Sequence, residues 1–292
     1  MMFSLPAKLK RFLALPLSAK LLVLRRKLGL VNRLPLLVRL PDIGWWMAIP
    51  ASKDRGLNDL VWHHDLGERR FLRQFIQPNW LVMDIGAHWG FYTLLLARLV
   101  GPKGRVIAFE PSPRERKWLQ RHLWLNRHTN VRVEPFAICD EEGETELFLY
   151  SINTSVNSLR PQFQWGTGQR IKVATTTLDA YLKQHDIEHV HFIKIDAEGA
   201  ELKILTGAKG VLEHKPRPVF LCELNDKVTQ AWGYAAKDIR ELLTAKGFYW
   251  FDVSLQGNLI PHTEKGEYSG NLVAFPEERL SEARPLLERD TL

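Results

Sequence analysis

The chain has 292 residues, enough to bury a sizeable core, and its 45% hydrophobic and 25% charged content is that of a globular protein. Cys139 and Cys222 sit in or beside apolar runs and no Cys and His pair has zinc-ligand spacing, which argues against a disulfide scaffold or zinc module and for a reducing compartment. Of the formal charge of +7, residues 1–40 supply nine Lys or Arg and no acid; the other 31 basic and 33 acidic residues leave the body near −2, with no mark of a nucleic-acid binder.

Residues 1–40 form a basic N-terminal arm in which leucines alternate with cations, cut by Pro6, Pro16 and Pro35. A candidate helix over 20–30 sets Leu21, Leu24 and Leu28 on one face and Arg25, Arg26 and Lys27 towards the other. No apolar run approaches the length of a membrane span, and no secretory cleavage pattern follows. The protein is expected to be cytoplasmic, and the readings of the arm are a peripheral anchor on the inner face of an anionic membrane, an arm docked on its own domain, or a transit segment. Residues 41–79 are a lead-in with a strand or hairpin over 41–49 and a helix over 66–76. Its Trp45, Trp46, Trp62, His63 and His64 suit covering a ligand or receiving a ring, and equally suit core packing.

The domain proper is expected over 80–276, leaving 277–292 as a tail. It opens on Trp80–Thr93, where an apolar strand passes through Asp84-x-Gly86-x-x-x-Gly90 into a helix. The glycines let the backbone bend or lie against a bulky group, and the helix end offers free amides. Dinucleotide folds of this kind use Gly-x-Gly-x-x-Gly, so an aspartate at the strand end points elsewhere. S-adenosylmethionine, with its ammonium and sulfonium, fits the charge; a plain turn with a capping aspartate is the simpler alternative. A second strand, 105–109, ends at Glu110, where an open α/β fold places the carboxylate for a ribose diol.

A helix over 114–125 and a strand over 130–134 complete a β-α-β-α-β beat, which implies a parallel sheet. The beat breaks at two strands, 145–150 and 171–176, around a long polar loop at 151–169. Its Asn153, Asn157, Ser158, Arg160, Gln164 and Trp165 suit a binding loop or a mobile surface loop. Strand 191–195 exits into Asp196, Glu198 and Glu201, and Lys194 shares side-chain parity with Asp196 along the strand, so it can hold that acid charged. One helix over 200–211, a strand over 218–223 ending in Glu223, a helix over 236–246 and an antiparallel edge pair, 248–253 with 271–275, finish the count.

Asp84-Ile-Gly-Ala-His-Trp-Gly90, Phe109-Glu110-Pro111 and the run from Phe192 through Asp196 to Glu201 closely resemble the FkbM family of S-adenosylmethionine-dependent methyltransferases, over roughly 81–275. The resemblance implies an α/β fold: a class I methyltransferase, Rossmann-like sheet of seven strands, mostly parallel, with the last antiparallel. It also implies transfer to hydroxyl oxygens, often on a sugar, glycan or natural product. On the matching positions, Asp84, Gly86, Ala87 and Gly90 form the methionine-end seat, Glu110 takes the ribose, Ala137 follows the third strand, and Asp196 lies beside the methyl. Asp196 is the candidate base, with Glu198 and His88 as alternates; His88 stands where the family commonly has asparagine. Asp196, Glu223 and Asn225 could instead gather Mg²⁺, although no metal ligand is assigned. An NAD-type dehydrogenase and a non-catalytic binding or scaffold domain are the other function classes.

Overall fold

The computed structural model describes residues 20, 36–40, 43–48, 65–150, 154–162, 166, 168–263 and 266–288. Most of the arm, Trp62, His63, His64, Asn153, Gln164 and Trp165 lie outside them.

A hairpin of β1 (Leu36–Leu40) and β2 (Gly44–Ala48) precedes helix α1 (Leu66–Phe75), which buries Phe71, Leu72 and Phe75 and turns Arg70, Arg73 and Gln74 outward. The alternating unit follows as β3 (Leu81–Ile85), α2 (Phe91–Val100), β4 (Arg105–Phe109), α3 (Pro113–Leu125) and β5 (Val131–Glu134). Next come β6 (Ala137–Ile138), β7 (Gly143–Leu149) and β8 (Gln169–Thr176), which form a separate small sheet in the order β6-β8-β7. The chain returns through α4 (Leu178–Gln184) to β9 (Phe192–Ile195), then α5 (Glu201–Thr206), α6 (Lys209–Glu213) and β10 (Val219–Asn225). It ends through α7 (Asp226–Thr229), α8 (Ala236–Ala245), β11 (Phe248–Val253), β12 (Leu259–Pro261), β13 (Ser269–Pro276) and α9 (Leu280–Ala283).

The main sheet runs β12-β11-β13-β10-β9-β3-β4-β5. Strands β10, β9, β3, β4 and β5 pair in parallel, whereas β13 is antiparallel to both β10 and β11. This is the mostly parallel sheet with an antiparallel last strand that the resemblance implies. Two details differ from expectation. The antiparallel pair forms, but β13 is inserted between β11 and β10 rather than lying on the edge, and the three-residue β12 covers β11 on the outside. The helix expected over 200–211 is two short ones, because the chain turns at Gly207, where a Cβ would press on the Cys139 carbonyl.

Alternate residues of the buried strands feed two cores, one on each face: Met83, Ile85, Ile193 and Ile195 on one side, Val82, Phe192 and Leu221 on the other. The second core takes in α1 and also Ala283 and Leu286, so the packed unit reaches beyond 80–276 at both ends. Arg279 ties that C-terminal segment to the strands. It is 7% exposed, donates to the carbonyls of His191 (2.6 Å) and Arg217 (3.3 Å), forks onto Glu282 at 2.7 Å twice, and lies over the Phe75 and Trp80 rings. Replacing Arg279 with Ala leaves buried carbonyls without donors, so stability measured by urea unfolding is expected to fall by about 2–4 kcal/mol.

Candidate active site

The sheet order reverses between β9 and β3, and ligands of open α/β sheets bind in the crevice at such a point, beyond the carboxyl ends of the strands. Asp84 and Lys194 are register neighbours on those two strands, on the face otherwise given to Val82 and Phe192. Both are buried, at 0% and 2% exposure. The Lys194 ammonium donates to Asp196 Oδ2 at 3.0 Å, lies 3.9 Å from Asp84 Oδ1 and sits 4.5 Å from the centre of the Tyr92 ring. Burial opposes its charge, but Asp196 and Asp84 outweigh burial and hold its pKa above the ordinary lysine value. Burial raises the Asp84 pKa, against the pull of Lys194 and of the Thr93 hydroxyl, which donates to Oδ2 at 2.6 Å.

The turn after β3 is held from both sides. Gly86 and Ala87 donate their amides to the Phe109 carbonyl at 3.1 and 3.0 Å, and Asp196 donates its own to the Ile85 carbonyl. Gly86 has φ +81°, and a Cβ there would collide with the Asp196 carbonyl oxygen. Gly90, at φ +92° where α2 begins, lies against Leu119 of α3 with no room for a Cβ. The glycines therefore bring backbones and helices together. Asp84, Ala87 and Gly90 stand behind the cleft wall, whereas Gly86 and His88 line it.

The cleft holds about 590 Å³, counted out to its open mouth. Glu110 is on one side. Its carboxylate accepts from the His88 amide at 2.7 Å and from the Ser112 amide at 2.8 Å. Burial and the nearby Glu115 nevertheless push its pKa up to about 8. His88, at φ +50°, stacks on Trp89, and its Nε2 lies 2.9 Å from the Thr154 hydroxyl. The long loop thus returns to the cleft and brings Thr154, Asn157, Ser158 and Leu159. Beside Glu110, Phe136, Ala137, Ile138 and Leu147 give an apolar wall. Sequence reasoning missed most of it: Phe136 adjoins Ala137, but nothing local shows that β6 and β7 fold over the crevice.

Opposite this wall, ligand oxygens of Asp196, Glu198 and Glu223 lie within 4.8 Å of one another. Glu198 has φ +51°, and its carbonyl accepts from the Ser158 hydroxyl (2.8 Å) and from Trp232 Nε1 (3.3 Å). Burial, then Glu223 and Asp196, push the Glu198 pKa well up; burial, then Asp196 and Glu201, do the same to Glu223. Glu201 rises to about 7 through burial, although its Oε1 accepts amides from Ala197 (2.7 Å) and Gly199 (3.3 Å). Asn225, expected in a metal set with Asp196 and Glu223, donates to Glu223 Oε1 and caps α7 by accepting from Lys227 N, and Glu198 joins the two acids as a third carboxylate. Glu223 Oε2 is buried with no hydrogen-bond partner among the described residues, and three converging carboxylates are a donor set that fits a hard divalent cation.

A mostly parallel sheet whose switch point has acids at four neighbouring strand ends defines an open α/β domain with a polar crevice at the carboxyl ends of its strands. The family profile for the methyltransferase FkbM domain matches residues 84–249, and the chain belongs to that family. Among its relatives, 31-O-demethyl-FK506 methyltransferase FkbM of Streptomyces tacrolimicus is 24% identical over 56% of this chain and 73% of that one. The 2-O-methyltransferase NoeI of Sinorhizobium fredii is 26% identical over 49% of this chain and 63% of that one. The AMB antimetabolite synthetase AmbE of Pseudomonas aeruginosa is 25% identical over 59% of this chain, which spans only 10% of that protein. The solved methyltransferase FkbM from Methylobacillus flagellatus KT has 17% identity and a TM-score of 0.42, covering 75% of this chain and 52% of that one.

The raised carboxyls set a pH dependence. Folded Glu110 keeps its proton up to about 8, whereas unfolded it loses it near 4.5, so between these values the folded state binds more protons and stability falls as pH rises. Relative to Glu110→Gln, the parent is expected to lose up to about 1.4 kcal/mol per pH unit across that window, read from urea midpoints at pH 5, 6 and 7. Parallel pH profiles of the two proteins would refute the assignment.

Proposed function

We propose that the chain is an S-adenosylmethionine-dependent O-methyltransferase acting on a hydroxyl of a sugar, glycan or natural product. The observation that carries this is the pairing, across one cleft, of Glu110 on one side with the Lys194-tethered Asp196 on the other. Glu110 accepts the ribose diol, the Phe136–Leu147 wall packs the adenine, and the turn at Gly86 and His88 receives the amino-acid end. Asp84 acts from behind the wall, by holding Lys194 and the turn. Two relatives whose names specify O-methylation support the choice of oxygen.

In the reaction the acceptor oxygen attacks the methyl carbon in line as the carbon–sulfur bond breaks, and the hydroxyl proton passes to a carboxylate. Asp196 is the base in this reading, with the Lys194 ammonium positioning its carboxylate through the 3.0 Å hydrogen bond; Glu198 and His88 are the alternates at the same cleft. A second reading rests on the three converging acids. Asp196, Glu198 and Glu223 would hold a divalent cation such as Mg²⁺, which acidifies a hydroxyl bound to it.

Calorimetric titration is expected to show binding of S-adenosylmethionine and none of NAD. Asp196→Asn should keep cofactor affinity within about tenfold yet lower turnover by about 10² or more. Undiminished turnover in that variant would remove Asp196 as base, and full activity after exhaustive chelation would remove the cation.

A further inference from the structure

The near-neutral charge of the body hides an uneven distribution. Residues 91–136 carry nine Lys or Arg against three acids, Glu110, Glu115 and Glu134, and all three acids are buried, at 6%, 0% and 6% exposure. What this half of the sheet shows to solvent is therefore positive. Helix α3 concentrates it: Lys117, Arg121 and Arg127 just past its end are exposed, and Trp124 among them is 79% exposed. The Arg121 guanidinium lies 4.6 Å from the centre of the Trp118 ring.

The hairpin is anchored at the C-terminal end of this helix. Asn126, at the end of α3, accepts from the Trp45 amide and donates to the Trp45 carbonyl, both at 2.7 Å, and Gly44 leaves no room for a side chain against it. Arg39 and Trp45 are directly paired across the strands, with the guanidinium 5.9 Å from the ring. Trp45 is 42% exposed and Leu37, on the same hairpin face, 48%. Of the five large apolar side chains exposed among the described residues, three belong to this helix and hairpin.

We infer that the α3 face and the hairpin form a docking surface for an anionic lipid bilayer. Exposed tryptophans and a leucine set among arginines and lysine, with no exposed acid in the whole 91–136 half, match what an interfacial segment needs: apolar groups to enter the headgroup region and cations to meet anionic lipid. The chain's own arm is the wrong occupant, since residues 1–35 carry eight Lys or Arg and no acid and would be repelled. The surface lies outside the cleft and is independent of the methyl-transfer reading.

The full chain is tested by sedimentation with phosphatidylcholine vesicles, with and without phosphatidylglycerol, followed by tryptophan quenching with brominated lipid. The parent should bind only the phosphatidylglycerol vesicles. Lys117→Glu with Arg121→Glu should weaken binding by at least about 25-fold, taking about fivefold for each cation. Trp124→Ala should weaken it several-fold and remove part of the quenching. These side chains are exposed, so unchanged thermal midpoints establish that the variants are folded. Equal vesicle affinity of parent and both variants overturns the proposal. So does a parent that ignores phosphatidylglycerol vesicles, whether or not it binds single-stranded RNA through the same cations.

Discussion

An ammonium taken out of water without counter-charges costs several kcal/mol, and Lys194 avoids this only because two strands deliver carboxylates to it. Asp84 reaches it from the neighbouring strand in register, and Asp196 from two residues further along its own strand. The arrangement binds β3 to β9 at the point where the sheet order reverses. Much of the crevice geometry depends on it: the turn at Gly86 rests on the Asp196 carbonyl, and Thr93 at the start of α2 is bonded to Asp84.

The same corner is short of positive charge. Asp196, Glu198, Glu201 and Glu223 crowd the exits of β9 and β10, and Lys194 is the cation that the pKa shifts of Glu198 and Glu223 answer to. Repulsion and burial therefore favour keeping protons on some of these acids near neutral pH. A corner of this kind can take up a proton or a cation, and either capacity serves a reaction in which a hydroxyl must lose its proton. Glu110 stands apart, raised by its own burial and by Glu115, while two backbone amides keep its carboxyl oriented towards the cleft.

Charge is also distributed on a larger scale. The acids cluster at the exits of β9 and β10, and the half built from β4, β5 and α3 buries each acid it has. Glu115 illustrates how: it lies on the buried side of the first turn of α3, accepting from the Ser112 hydroxyl and from Arg114 at 2.6 Å, and adds nothing to the helix surface. An average over the body conceals this polarity, because composition does not register which charges are buried.

The strands ending at Asp84, Glu110, Asp196 and Glu223 were legible in the sequence, because a short apolar run, a terminal acid and a following glycine or helix are all local. So was the relation of Lys194 to Asp196, which follows from the two-residue period of a strand. The chain alone did not disclose that Asp84 shares Lys194, that β13 enters the sheet between β10 and β11, that Gly86 is required by the Asp196 carbonyl, or that Thr154 meets His88. Nor did it show Glu198 converging with Asp196 and Glu223. Each of these depends on which distant segments pair or pack, and side-chain period carries no information about that. Sequence determined the elements and the acids at their ends; tertiary packing decided which acids face one another, which are buried, and what they enclose.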